Sequence, residues 1–221
     1  MSTLLFQLRG PMQSWGTRSR YDLRDTWPYP TKSGVIGLLA AALGRDRQED
    51  ISDLTALKLG VRVDRRGTLL VDYQTARCVL AADGRGYRDV QSWRYFLSDA
   101  AFLVGVEGRE TLLEAIHQAL LEPRFPLYLG RKGYVPSPPP YLPDGKQPEG
   151  LEQALRSYPY LLDQEPRADL LLVLETSSAE GRLVYDQPVA PFARRKFGPR
   201  YVREVVLRKE EVPHVDQQTH P

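Results

Sequence analysis

Proton transfer would fall first to the histidines, and the sequence holds three: His117, His214 and His220. The last two stand in a polar C-terminal stretch. His117 follows Ile116 in a helical pattern, about 100° round from it and at the border of the apolar face, where half-buried surface residues sit. General acid–base work needs two groups held on one proton path, and the sequence sets no second group beside His117. Thr31-Lys32-Ser33 matches the end of a P-loop, but the glycines that belong upstream are missing. HExxH, CxxC, GxSxG and GxGxxG are absent, and the acidic residues form no paired constellation for a metal. Catalysis, cofactors and metal ions are therefore not expected.

Binding chemistry is better supplied. At Lys32-Ser33-Gly34 a helix begins, where free N–H groups and the helix dipole favour a phosphate. Around the glycine-bearing turn ADGRG stand Arg85, Tyr87, Arg88, Trp93 and Arg94. In LGRKG, Gly130 and Gly133 flank Arg131 and Lys132 and allow close backbone approach to an anion. FARRKFGPRYVR brings Arg194, Arg195, Lys196, Arg200 and Arg203, with Glu204 as the nearby acid. Each stretch alone also reads as a solvated surface. Together, cations interleaved with rings suit single-stranded RNA, because bases stack while the cations follow the phosphates.

These residues need elements to hold them. Leu4, Phe6 and Leu8 alternate with Leu5, Gln7 and Arg9 as a strand, which Gly10-Pro11 breaks. Gln13, Ser14 and Trp15 follow just past the strand end, where a scaffold holds side chains near a ligand. Trp15 either meets that ligand or turns back onto the core. Val35, Ile36, Leu38, Leu39, Ala42 and Leu43 share one helical face, with Gly44 as the stop. A weaker helix is expected at 49–57, then a strand through Leu59, Val61 and Val63. Strands at 69–79 and 88–96 flank the ADGRG turn, and 101–106 is a core strand. Thr111 and Glu114 form a capping-box pattern for a helix ending before Pro123. Residues 122–148 are rich in Pro and Gly and read as extended chain. The continuous apolar run 170–174 is a strand covered on both faces. A turn at 179–181, the basic stretch, a short strand at 205–207 and a polar tail at 210–221 complete the chain. The order strand-helix-strand-strand-helix predicts an α+β, ferredoxin-like (RRM-type) fold with a long β-hairpin inserted before its third strand.

Composition agrees with an ordinary globular chain. A length of 221 residues fits one large domain or a domain with a small appendage, and 42% hydrophobic residues supply a core. The net charge of +2 announces no global field, so any basic surface must be local. Cys78 is the only cysteine, which excludes an intrachain disulfide and points to a reducing compartment. The longest apolar run, 34–44, is too short to span a bilayer, and no signal-peptide pattern opens the chain. A soluble cytoplasmic protein without membrane contact is expected.

In order from Leu8 to Gly133, the motifs LRGPMQSWG, PTKSGVIGLLAAALG, DYQT, YFLSDAAFLVGV and PLYLGRKG resemble the fifth family of CRISPR-associated (Cas) proteins. They match its subtype I-E branch, within the RAMP superfamily, and RKFGPRYV continues the likeness more loosely. The resemblance implies a ferredoxin-like RAMP domain over 1–135 with a thumb hairpin at about 73–96. A Pro-rich connection at 136–148 would lead to a small β-rich C-terminal subdomain at 149–209. It implies a non-catalytic subunit of the Cascade surveillance complex that grips the 5′ repeat-derived handle of the CRISPR RNA in antiviral defence. Its neighbours would be the backbone Cas subunit and the large PAM-reading subunit, with target DNA met only indirectly. The candidate RNA contacts are Gln13, Ser14, Trp15, Lys32, Ser33, Arg85, Arg88, Trp93, Arg94, Arg131, Lys132, Arg195 and Arg200. A sister subtype of the family cuts precursor CRISPR RNA without metal, so a metal-independent endoribonuclease is the alternative.

Overall fold

β1 (Ser2–Arg9) obeys its alternation and is buried on both faces, as a central strand must be. The computed structural model describes residues 2–16, 22–189, 191–194 and 196–213. After β1 come two short strands, β2 (Met12–Gln13) and β3 (Leu23–Arg24). Helix α1 (Lys32–Ala42) is capped by the Thr31 hydroxyl, which accepts from Gly34 N–H, and it stops at Gly44 with φ +77°. α2 (Ser52–Thr55) is a single turn rather than the longer helix expected at 49–57. There follow β4 (Lys58–Arg65), β5 (Thr68–Leu80), β6 (Tyr87–Ser98) and β7 (Ala101–Gly108). Next are α3 (Glu110–Leu121), β8 (Lys146–Gln147) and α4 (Leu151–Ser157), then β9 (Leu170–Thr176), β10 (Arg182–Val189) and β11 (Lys196–Leu207).

Seven strands form one antiparallel sheet in the order β10-β11-β9-β4-β7-β1-β8. The fold is mixed α+β, dominated by antiparallel strands. On one face α1 and α3 bury Leu4, Phe6, Val61, Phe102 and Val104. On the other face Leu5, Leu103, Leu172 and Leu174 pack under Leu151 and Leu155 of α4. A second sheet holds β6 at its centre, with β5 along one edge and β2 and β3 on the other.

Two expectations change. The capping box at Thr111 and Glu114 does not form: the N-cap is Arg109, no side chain caps the helix, and Glu114 pairs with Lys146 instead. Residues 196–203 of the basic stretch and the short strand expected at 205–207 belong to one 12-residue strand, β11, whose mate is β10. Its arginines fit in a sheet because carboxylates meet them, Asp186 at Arg200 and Glu152 at Arg203. Residues 149–209 supply β9, β10 and β11 to the main sheet and α4 to its face. At the start of the polar tail, Val212 is buried and the Pro213 carbonyl accepts from Tyr160 N–H at 2.8 Å.

Candidate nucleic-acid interface

The hairpin of β5 and β6 is the element that meets solvent most fully. Its tip turns through Gly84 and Gly86, and Arg85 and Arg88 stand exposed there. Leu69, Val71 and Tyr73 on β5 lie opposite Leu97, Tyr95 and Trp93 on β6 and share one face with them. The Tyr73 and Trp93 rings meet at 5.3 Å with their planes tilted 54° apart, and Trp93 keeps 40% of its surface open. On this face Leu69, Val71 and Tyr73 stand exposed, while Leu97 is buried. Arg94, half-buried, donates from Nε to Ser92 Oγ at 3.1 Å.

At the hairpin's root three loops converge. Ser14 N–H donates to the Leu129 carbonyl (3.0 Å), and Ser14 Oγ donates to the Tyr95 carbonyl (3.1 Å). Arg131 Nη2 donates to the same Tyr95 carbonyl (3.0 Å) and to the Arg24 carbonyl (3.3 Å), while Nη1 reaches Tyr134 Oη (3.0 Å). Gly130, with φ +88°, is required here, because a β-carbon would collide with the Ser14 carbonyl. Lys132, beside it, is exposed.

Several expected RNA contacts are turned inward instead. Trp15 is 1% exposed, donates from Nε1 to Gln13 Oε1 (3.3 Å) and packs its ring on Gly34, so it props the loop and offers no face to a base. Gln13 is buried, and its Nε2 donates to the Leu8 and Ala100 carbonyls. The start of α1 does hold an anion, but an internal one. Lys32 N–H donates to Asp186 Oδ2 at 2.7 Å, and Asp186 also binds Arg200. Lys32 Nζ reaches both Glu175 oxygens at 2.9 Å, and Arg200 lies 3.8 Å from Glu175. Lys32 and Arg200 thus meet the buried carboxylate of Asp186 and the half-buried one of Glu175. Ser33 is half-buried, with Oγ 3.4 Å from Thr31 Oγ1. Arg195 lies outside the described residues. The structure therefore gathers Ser14, Trp93, Arg94, Arg131 and Lys132 around the hairpin root and leaves Lys32 and Arg200 in a separate internal cluster.

Burial pushes the Lys32 ammonium below its ordinary value, against the pull of Glu175. With the folded pKa lowered, the unfolded chain binds more protons between the two values, so this group makes stability rise with pH towards 10.5. Lys32→Met is expected to remove that rise. Denaturant titrations of both proteins at neutral pH and near pH 10 check it, and an unchanged difference between the two would contradict it.

His117 is a buried residue of α3. It is 6% exposed, more buried than a border residue should be, with Nε2 3.0 Å from the Leu142 carbonyl and its ring stacked on Tyr141 at 4.7 Å. Among the described residues no three of His, Cys, Asp and Glu are grouped to hold a metal, and no helix is long and apolar enough to cross a membrane.

Comparison places the chain among the CRISPR-associated proteins: the family model described as CRISPR-associated protein (Cas_Cas5) matches residues 3–203. The chain belongs to this Cas5 family. It is 36% identical over 185 residues to the CRISPR system Cascade subunit CasD of Escherichia coli (strain K12), covering 75% of this chain and 78% of that one. A solved chain described as "Crystal structure of Cas protein" superposes with a TM-score of 0.83 at 64% identity, over 97% of this chain and 99% of that one. A chain of a "CRISPR RNA-guided surveillance complex" superposes with a TM-score of 0.73 at 31% identity, over 93% and 90%.

Proposed function

We propose that this protein is a non-catalytic, RNA-binding subunit of a type I-E Cascade complex, gripping the 5′ repeat-derived handle of the CRISPR RNA. The observation that carries this reading is the hairpin itself. It bears the half-open Tyr73–Trp93 ring pair and the exposed Arg85 and Arg88, and it is rooted beside exposed Lys132. Rings for bases and cations for phosphates are the two requirements of single-strand binding. Similarity to a Cascade subunit and to a chain of an RNA-guided complex supports the same reading. In it, β5 and β6 are the thumb. The strand order β4-β7-β1-β8, with α1 joining β1 to β4, supports a ferredoxin-like skeleton in which two-residue β8 takes the fourth-strand place. The backbone subunit and the large PAM-reading subunit are its neighbours in the cytoplasm, with target DNA reached through them. Cleavage is left to another subunit, because His117 is already engaged by packing.

The test uses labelled repeat RNA with excess protein, once in EDTA and once in magnesium. Binding without specific cutting is expected, and a specific cut would overturn the non-catalytic reading. Lys132→Ala should flatten the slope of log affinity against log salt by about 0.7, the share of one phosphate on a single strand. An unchanged slope would remove Lys132 from the interface. The melting temperature should stay put, since an exposed charge contributes little to folding.

A further inference from the structure

The inner edge of β6 is only partly paired. β3 reaches Trp93 and Arg94, β2 reaches Leu97 and Ser98, and Tyr95 and Phe96 fall in the gap. A backbone carbonyl in such a gap needs a donor from elsewhere. The Tyr95 carbonyl has two side-chain donors, Ser14 Oγ and Arg131 Nη2. The same guanidinium holds the Arg24 carbonyl, on β3 itself, and Tyr134 Oη, while its charge lies 5.5 Å from the centre of the Tyr134 ring. Ser14 is in turn fixed to the Leu129 carbonyl.

We infer that Ser14 and Arg131 form a latch that sets the direction of the hairpin on the body, supplying the rung that β2 and β3 leave out. Both are positioning residues. Arg131 places three of its five N–H donors on protein acceptors, whereas the exposed Lys132 can reach a phosphate without structural loss. A planar fork spanning two carbonyls and a hydroxyl is a task for arginine, not for a point ammonium. The inference rests on the hairpin being the element that engages RNA, but the latch itself is measurable without RNA.

Cys78 supplies the probe. It is the only cysteine in the sequence and stands exposed on the hairpin. A nitroxide attached there in the full-length protein reports hairpin motion. In Arg131→Ala the free protein should give a narrower, more mobile spectrum. Its affinity for repeat RNA should fall about tenfold if the hairpin then keeps its binding pose about a tenth of the time. The salt slope should not change. Arg131→Lys should not restore the wild-type spectrum. Ser14→Ala should move label and affinity the same way but less, with no charge altered, and it carries the test if Arg131→Ala does not fold. A still label with a slope reduced by about 0.7 would make Arg131 a phosphate contact and overturn the latch. A label unmoved in both variants would overturn it as well. If wild-type protein did not bind repeat RNA, the RNA reading would fail while the label spectra still decided the latch.

Discussion

Arg62→Met is expected to destabilise the protein by about 3–5 kcal/mol, the cost of breaking a buried ion pair from one side. For a chain of this size that lowers the melting temperature by roughly 6–20 °C. Arg62 lies on β4 with no exposed surface. Its Nε and Nη2 bind Asp64 at 2.7 and 2.9 Å, and its remaining donors reach the carbonyls of Leu155, Tyr158 and Pro159. Asp64 also accepts from Leu161 N–H at 2.9 Å. One guanidinium thereby ties the central sheet to the end of α4 and the segment after it. Methionine fills much of the space but leaves a buried carboxylate without a counter-charge and three carbonyls without donors. Arg62→Met with Asp64→Leu should recover part of the loss, because the orphaned charge is then gone. Denaturant unfolding of the three proteins measures it, and a loss below about 1 kcal/mol for Arg62→Met would show the network to be dispensable.

Replacing residues 75–91 by a short turn should do the reverse, sparing the fold and removing the function. The side chains of this segment lie almost wholly in solvent, and its strands pair chiefly with each other. A projecting hairpin adds little to a core, so the melting temperature should shift by no more than about 2–4 °C. Association with CRISPR RNA and the other Cascade subunits should be lost. Co-purification of tagged protein from its host reads this directly. Normal incorporation into a target-binding complex would show that the hairpin is not a thumb.

The sequence disclosed most where neighbours in space are neighbours in pattern. β1, β4 and β7 announced themselves by alternation or by apolar runs, and α1 by its one-sided face and its glycine stop. The two strands of the hairpin were evident from the turn between them. Charges were harder, because a charge's partner is not local. The start of α1 reads as a phosphate site, but the acceptor its N–H meets is Asp186, 154 residues away on a strand that carries no strong signal. Arg200 and Arg203 read as surface cations until β10 and α4 bring carboxylates to them. Trp15 was undecidable for a related reason, since Gly34 and Thr26 must fold against it before it becomes a prop. Arg131 reads as a phosphate contact on its flanking glycines, of which Gly130 is needed for the close approach of its loop to Ser14.

The outer edge of β5 bears on the life of the chain before assembly. Among the described residues it pairs with nothing beyond β6, and Leu69, Leu70, Val71, Tyr73 and Leu80 all stand open along it. Unpaired edges and large open apolar faces invite indiscriminate association. A surplus of this chain over its assembly mates should therefore be short-lived, drawn into aggregates or cleared by proteases. Its steady-state amount would then follow the supply of whatever covers β5 more closely than its own rate of synthesis, a form of dosage control written into one strand.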